Sequence, residues 1–255
     1  MVNLTLLTKV KSHRQLRQVD ESLKLTLRGL EVESRILGKV AGRWPQLALK
    51  GVDEEVAANY ILNEVGVCPA TIENIGKSST LKGFITNLEN STNELTIDIG
   101  VFEPKVVNVT VPLRRLQVQL VGGRKVGLEI IANIFGFCED LPINSKIVRL
   151  KKQESYLEAE LAEKQISDYY DWQESLLDRL IILGPTRLRI QKLLQRQNLY
   201  RDVIELNSFG IFVHVLTCKF GTDAAGLISK IGRRLEKARF AVFSPKKNNL
   251  LINES

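Results

Sequence analysis

One order of elements is written twice along this chain, and it constrains the fold more than any other feature. Near the start, Leu4 and Leu6 flank Thr5 as on a half-buried strand. Ser12, a capping residue, opens a helix with Leu16, Val19, Leu23 and Leu27 at spacings of three and four, and Gly29 marks its stop. Two strands follow, "ESRILGKV" and "WPQLALKG", turned at Ala41-Gly42-Arg43. Asp53 is predicted to cap a second helix, "DEEVAANYILNEVG", with acids in its first turn and Gly66 at its end. "ATIENI" reads as a last strand. Near the other terminus the plan returns. "RLIILG" is a strand, and Gly184-Pro185-Thr186 opens the helix "RLRIQKLLQRQN". "RDVIEL" and "GIFVHVLTCKF" are strands around a turn at Asn207-Ser208-Phe209-Gly210. A glycine turn, a helix and a strand then complete "CKFGTDAAGLISKIGRRLEKARFAVFSP". The order β-α-β-β-α-β is the split βαβ, or ferredoxin-like, plan.

Between the two copies the pattern changes. After a small-residue linker, "GKSSTLKG", come the strand-like runs "LKGFITNL", "ELTIDIGV" and "KVVNVTV". "PLRRLQVQL", a Gly122-Gly123 turn, a short helix from Val126 to Phe135 and the strand "NSKIVRL" follow. Several short strands with an intervening helix point to a small OB/S1-like β-barrel. Residues 151–177 are acidic, and Leu157, Leu161, Tyr169, Trp172 and Leu176 fall on one helical face. The expected architecture is therefore α+β. A ferredoxin-like domain spans 1–76, a barrel 77–150, an acidic connecting helix 151–177, a basic ferredoxin-like domain 178–247 and a tail 248–255.

Several function classes fall away on composition. The longest apolar run, Val126 to Phe137, is broken by Glu129 and Asn133, too short and too polar for a membrane span. "MVNLTLLTKVKSHRQ" lacks the basic and apolar regions of a signal peptide, so a cytoplasmic location is expected. Three scattered cysteines (Cys68, Cys138, Cys218) and two histidines (His13, His214) leave no ligand set for zinc. Reduced, mostly buried thiols are expected, with no cofactor. No Ser-His or Cys-His pairing suggests itself, and Asp53, Glu54 and Glu55 are explained by helix capping. The expectation is a protein without catalytic residues.

Charge is the informative part. The chain carries +7, and residues 178–255 alone hold 14 basic against six acidic residues, a net of +8. Such a field draws polyanions by steering and counterion release. Within it, Ala224, Ile228, Ile231 and Leu235 make one helical stripe for the core. Lys230, Arg233, Arg234 and Lys237 make a second, outward one. Arg189, Lys192 and Arg196 repeat the spacing on the other helix, and both helices of a split βαβ unit cover the same sheet face. These seven cations are the candidate nucleic-acid contacts; an ordinary solvated exterior is the alternative. Gly221-Thr222-Asp223 before the helix has the look of an anion turn, but lacks GxxxxGK[ST], so Thr222 or Asp223 as N-cap is favoured. "SFGIFVHVLTCKF" slips the register of an RNA-recognition strand, and His214 reads as a packed histidine. In the barrel, Phe84 and Phe102 are few for base stacking, and Arg114 and Arg115 offer phosphate contacts or a charged turn.

"KGVDEEVAANYILNEVG", "DIGV…VPLRRLQVQL" and "CKFGTDAAGLISKIGRRL" together resemble an archaeal family of conserved proteins of unknown function, in the same order over most of the chain. The resemblance implies an archaeal cytosolic protein and carries over no functional residue. The sequence thus points to a non-enzymatic protein binding RNA or a ribonucleoprotein, ribosomal or transcriptional. A protein–protein adaptor is the alternative, and an enzyme on a phosphorylated small molecule is a lesser one. Its oligomeric state is not written in the sequence.

Overall fold

The computed structural model describes residues 1–235 and 237–246. The expected tail, 248–255, and Lys247 lie outside the described residues. The chain divides into two compact units: Met1–Ile75 with Ile99–Val107, and Gly76–Asp98 with the described residues from Asn108. Among the described residues no helix is long and apolar enough to cross a membrane.

The first unit follows its sequence pattern closely. It runs β1 (Val2–Thr5), α1 (His13–Thr26), β2 (Val32–Val40), β3 (Trp44–Gly51), α2 (Glu54–Glu64). Ser12 caps α1 through its Oγ, which accepts from Gln15 N at 3.2 Å, and Gln15 Oε1 reaches back to Lys11 N at 2.8 Å. The hairpin turns where Ala41 and Gly42 take φ of 46° and 73°. The sheet order is β1-β3-β2, antiparallel throughout. Backbone at 66–68 lies beside β1, with Leu7 N on Gly66 O at 2.9 Å and Cys68 N on Thr5 O at 2.8 Å. Val19, Leu23, Leu47, Leu49, Ala57 and Ile61 fill the core. Two expectations are corrected. Asp53 does not cap α2 with its side chain; its Oδ2 instead accepts from Glu31 N at 2.7 Å, tying down the entry to β2. The last strand is only β4 (Ala70–Thr71), followed by a 3₁₀ turn at Ile72–Asn74.

Next comes a closed five-stranded barrel. Its elements are β5 (Thr80–Thr86), β6 (Glu94–Glu103), β7 (Val107–Pro112), α3 (Leu113–Val121), α4 (Leu128–Phe135), β8 (Pro142–Lys151) and β9 (Tyr156–Leu161). β5 pairs antiparallel with β6 and β8, and β8 with β9. β9 then runs parallel to β7, which returns to β6 and closes the ring. β4 adds in parallel to β6. Leu95, Ile97, Val109, Val111, Ile143, Ile147, Leu157 and Ala159 are buried at every second position. The expected helix over 151–177 is therefore wrong in nearly its first half. Leu157 and Leu161 are four apart, a spacing that is both one helical turn and an even strand step. Closing the barrel selects the strand, and only α5 (Glu163–Glu174) is helical.

The last sheet contains β10 (Arg179–Leu183), β11 (Val203–Gly210), β12 (Val213–Cys218) and β13 (Arg239–Phe243), with α6 (Arg187–Arg196) and α7 (Ala224–Ile231) between them. Its order is β11-β12-β10-β13, antiparallel throughout. The turn expected at Asn207–Gly210 is instead strand; the chain reverses at Ile211 and Phe212. One face of the sheet, with Leu180, Ile182, Leu216 and Cys218, packs on Ile190, Leu194, Leu227 and Ile231 of the two helices. The opposite face lies on α4 and α5. Phe243 is ringed by Phe135, Tyr169 and Trp172 at centroid distances of 6.2, 6.3 and 5.4 Å. Lys82 Nζ on β5 donates to Phe209 O at 2.7 Å, Arg239 pairs with Asp140, and Gly136 leaves room where a Cβ would meet Ile181 Cδ1 at 2.9 Å. Neither face of this sheet is open.

Candidate nucleic-acid interface

α6 turns Ile190, Leu193 and Leu194 into the core, which leaves Arg187, Lys192 and Arg196 exposed and Arg189 half-buried. Arg189 Nη2 donates to Arg234 O at 3.4 Å, so the start of α6 touches the chain just after α7. The outward stripe expected along α7 is not a single helical stripe. α7 ends at Ile231; Gly232–Arg234 form a 3₁₀ turn, and Lys237 stands beyond it with φ 66°. Glycine at 232 weakens the helix, and Leu235, almost fully buried, is drawn inward to complete the core. Lys230 alone lies on α7, and its Nζ pairs with Asp202 Oδ2 at 2.8 Å. That hydrogen bond holds the Asp202 carboxyl below the usual carboxylate range. Arg233, Arg234 and Lys237 are exposed. Among the described residues, Lys192, Arg196, Arg233 and Lys237 have no carboxylate within ion-pair distance.

The turn before α7 is occupied by the protein's own carboxylates. Gly221 takes φ 87°, and Asp223 Oδ1 accepts from Gly226 N at 2.6 Å, the expected N-cap. Asp178 Oδ2 accepts from Ala224 N at 3.2 Å, while its Oδ1 accepts from Ser244 Oγ at 2.7 Å. Two anions thus stand where a bound phosphate would stand.

Family models match the chain in three consecutive pieces: the DUF2110 N-terminal domain over residues 3–70, the DUF2110 central domain over 75–173 and the DUF2110 C-terminal domain over 177–243. The chain belongs to the DUF2110 family. This agrees with the family resemblance carried by the sequence. The DUF2110 central-domain match includes β9 and α5 with the barrel. No curated protein matches the sequence significantly. Among solved structures, the uncharacterized protein MJ1198 from Methanocaldococcus jannaschii is similar at 11% identity and TM-score 0.24, over 35% of this chain and 95% of that one. A chain of the a/eIF2alpha-aDim2p-rRNA complex from Pyrococcus horikoshii gives 6% and 0.28, over 71% and 94%. The intact alpha subunit of aIF2 from Pyrococcus abyssi gives 8% and 0.26, over 66% and 97%. At these TM-scores the likenesses carry no weight for function.

The DUF2110 C-terminal sheet also holds a serine–histidine contact that the sequence did not suggest. Ser208 and His214 are cross-strand partners, with Ser208 Oγ 2.9 Å from His214 Nδ1. His214 Nε2 lies 3.1 Å from Pro185 O, which assigns the proton to Nε2 and leaves Nδ1 to accept from the serine. Arg187 Nη1 donates to the same Oγ at 3.1 Å. Burial lowers the His214 pKa to about 4, so the ring is neutral at pH 7 and a poor base. The pairing was hidden because the turn was expected at Ser208 itself. Arg179 is likewise structural: buried, with its guanidinium 5.0 Å from the Trp172 ring and bonded to Trp172 O, Ser175 Oγ and Leu177 O. On the barrel, Arg115 is held by Glu158 at 3.0 Å and Glu160 at 3.4 Å, and Phe84 is buried. Among the described residues no cluster of ligands suits a metal ion.

Proposed function

We propose that this chain is a non-enzymatic, cytosolic RNA-binding protein that meets RNA, alone or in a ribonucleoprotein, through the helix side of its C-terminal sheet. One observation carries the reading. Lys192, Arg196, Arg233 and Lys237 are exposed without a carboxylate partner among the described residues, and the Arg189–Arg234 contact joins their two segments. Neighbouring like charges cost a few tenths of a kcal/mol each, roughly; a phosphate backbone relieves that repulsion and releases counterions. The fold type agrees. The ring β5-β6-β7-β9-β8, with one parallel pair and helices between the third and fourth strands, supports an OB-like reading of the barrel. The order β11-β12-β10-β13, with both helices on one face, supports a ferredoxin-like reading of the last unit, and β1-β3-β2 is in keeping with the same reading of the first. Because α4 and α5 cover the opposite sheet face, base stacking on that sheet is not part of the proposal.

The test is RNA binding across a salt series. Affinity should fall steeply with salt, and Arg233→Glu with Arg234→Glu should remove much of it. An affinity indifferent to both sinks the reading. One observation favours a second reading, a protein adaptor: Val52, Val56 and Tyr60 are exposed at spacings of four on and beside α2. An adaptor would co-purify with one protein after nuclease treatment, and Val56→Asp would release it.

A further inference from the structure

We propose that the cleft beside the entry turn of α7 seats one base of single-stranded RNA, stacked on Phe220; this rests on the RNA reading above and adds to it a contact with the base. Phe220 is 80% exposed, although only Lys219 separates it from the buried strand β12. The turn that closes with Thr222 N on Lys219 O at 2.9 Å lifts the ring off the sheet. Lys246 Nζ lies 5.8 Å from the ring centroid, over the ring, and Lys219 is exposed beside it. Next to the ring is a cleft of about 290 Å³, walled by Leu177, Asp178, Asp223 and Ser244. That is the small end of the range for ligand cavities, roughly 300–1,000 Å³.

The charges in this cleft are sorted as a nucleotide's are. Asp178 and Asp223 exclude a phosphate from the interior. Both are held in place, Asp178 by Ser244 Oγ and Ala224 N and Asp223 by Gly226 N. Each carboxylate oxygen keeps acceptor capacity for an N–H on the edge of a base. The two lysines stand at the rim, where the phosphate of a stacked nucleotide would lie. An aromatic ring exposed between cations is the arrangement that binds single strands with little regard to sequence.

The experiment titrates wild type, Phe220→Ala and Phe220→Trp with a fluorescein-labelled single-stranded RNA of mixed sequence and with the corresponding duplex, over a salt series. Phe220→Ala should weaken single-strand binding about tenfold or more. The slope of log affinity against log salt should not change, because no charge is lost. Phe220→Trp should bind as wild type does, with its fluorescence quenched on binding. The duplex, whose bases are already stacked, should be indifferent to both changes. Wild-type affinity in Phe220→Ala overturns the inference while leaving the RNA reading intact. So does an equal loss on the duplex, or a lower melting temperature in Phe220→Ala, which would mean that the ring packs on the chain itself. Absence of salt-dependent RNA binding by the wild type is the separate result that removes the RNA reading and this inference together.

Discussion

Phe243→Ala tests whether the C-terminal sheet and the barrel fold as one body. Phe243 is fully buried, and three aromatic rings surround it, two from α5 and one from α4. Truncating a core phenylalanine costs about 3–5 kcal/mol in transfer and cavity terms. Ring pairs add about 0.5–1.5 kcal/mol each beyond area, so the upper part of that range, about 4–5 kcal/mol, is expected. With a urea m-value of about 2 kcal/mol per molar, the midpoint should fall by roughly 2 M. The assay is urea unfolding followed by tryptophan fluorescence and circular dichroism. Trp172, whose ring lies edge-on to Phe243, should report the same transition as the backbone signal of this unit. A loss below about 1 kcal/mol, or a separate early transition for the sheet while Trp172 stays native, would refute the packing argument.

Lys230→Gln should leave the salt dependence of RNA binding as it is, because Asp202 already occupies that ammonium. Lys192→Gln and Lys237→Gln should each shallow the slope by about 0.7–0.9; equal effects at all three positions would contradict the assignment of partners. His214 gives a pH dependence. Its folded pKa is lowered to about 4 from 6.5, so between those values the unfolded chain binds the extra proton. Stability is therefore full above about pH 6.5 and falls towards pH 4, by about 3 kcal/mol at most. Melting temperatures at pH 7 and pH 4.5 should differ less in His214→Gln than in wild type, and an unchanged difference would assign the acid sensitivity elsewhere.

Periodicity found most elements because burial imposes it. α1 shows its apolar residues at three and four with a capping pair at its start, and β2 alternates half-buried and exposed along its whole length. The misplaced elements share one cause: a local pattern satisfied by two structures, with the choice made by distant chain. Leu157 and Leu161 fit a helix or a strand until β7 and β8 claim the segment. Asn207 and Gly210 resemble turn residues, yet the register that puts Ser208 opposite His214 carries the strand as far as Gly210. The candidate site was affected in the same way. Counting every third or fourth residue from Lys230 assumes a helix that Gly232 and the inward pull on Leu235 bring to an end. Asp202, which neutralises Lys230, lies 28 residues back, beyond the reach of any helical spacing. Phe220 was invisible for a different reason: sequence patterns report what is buried and are silent about which apolar side chain is left outside.

The first unit borrows its final segment from further along the chain. Gly100, at φ 80°, leaves the space that Cys68 fills, where a Cβ would come within 2.5 Å of the Cys68 sulfur. During synthesis, then, the first 75 residues emerge without Ile99–Val107, the stretch that completes them. Their native state has to wait until β6 has been made, and a protein cut at the glycine-serine linker would expose the groove meant for that strand. The linker marks a change of composition and is a poor place to divide the molecule.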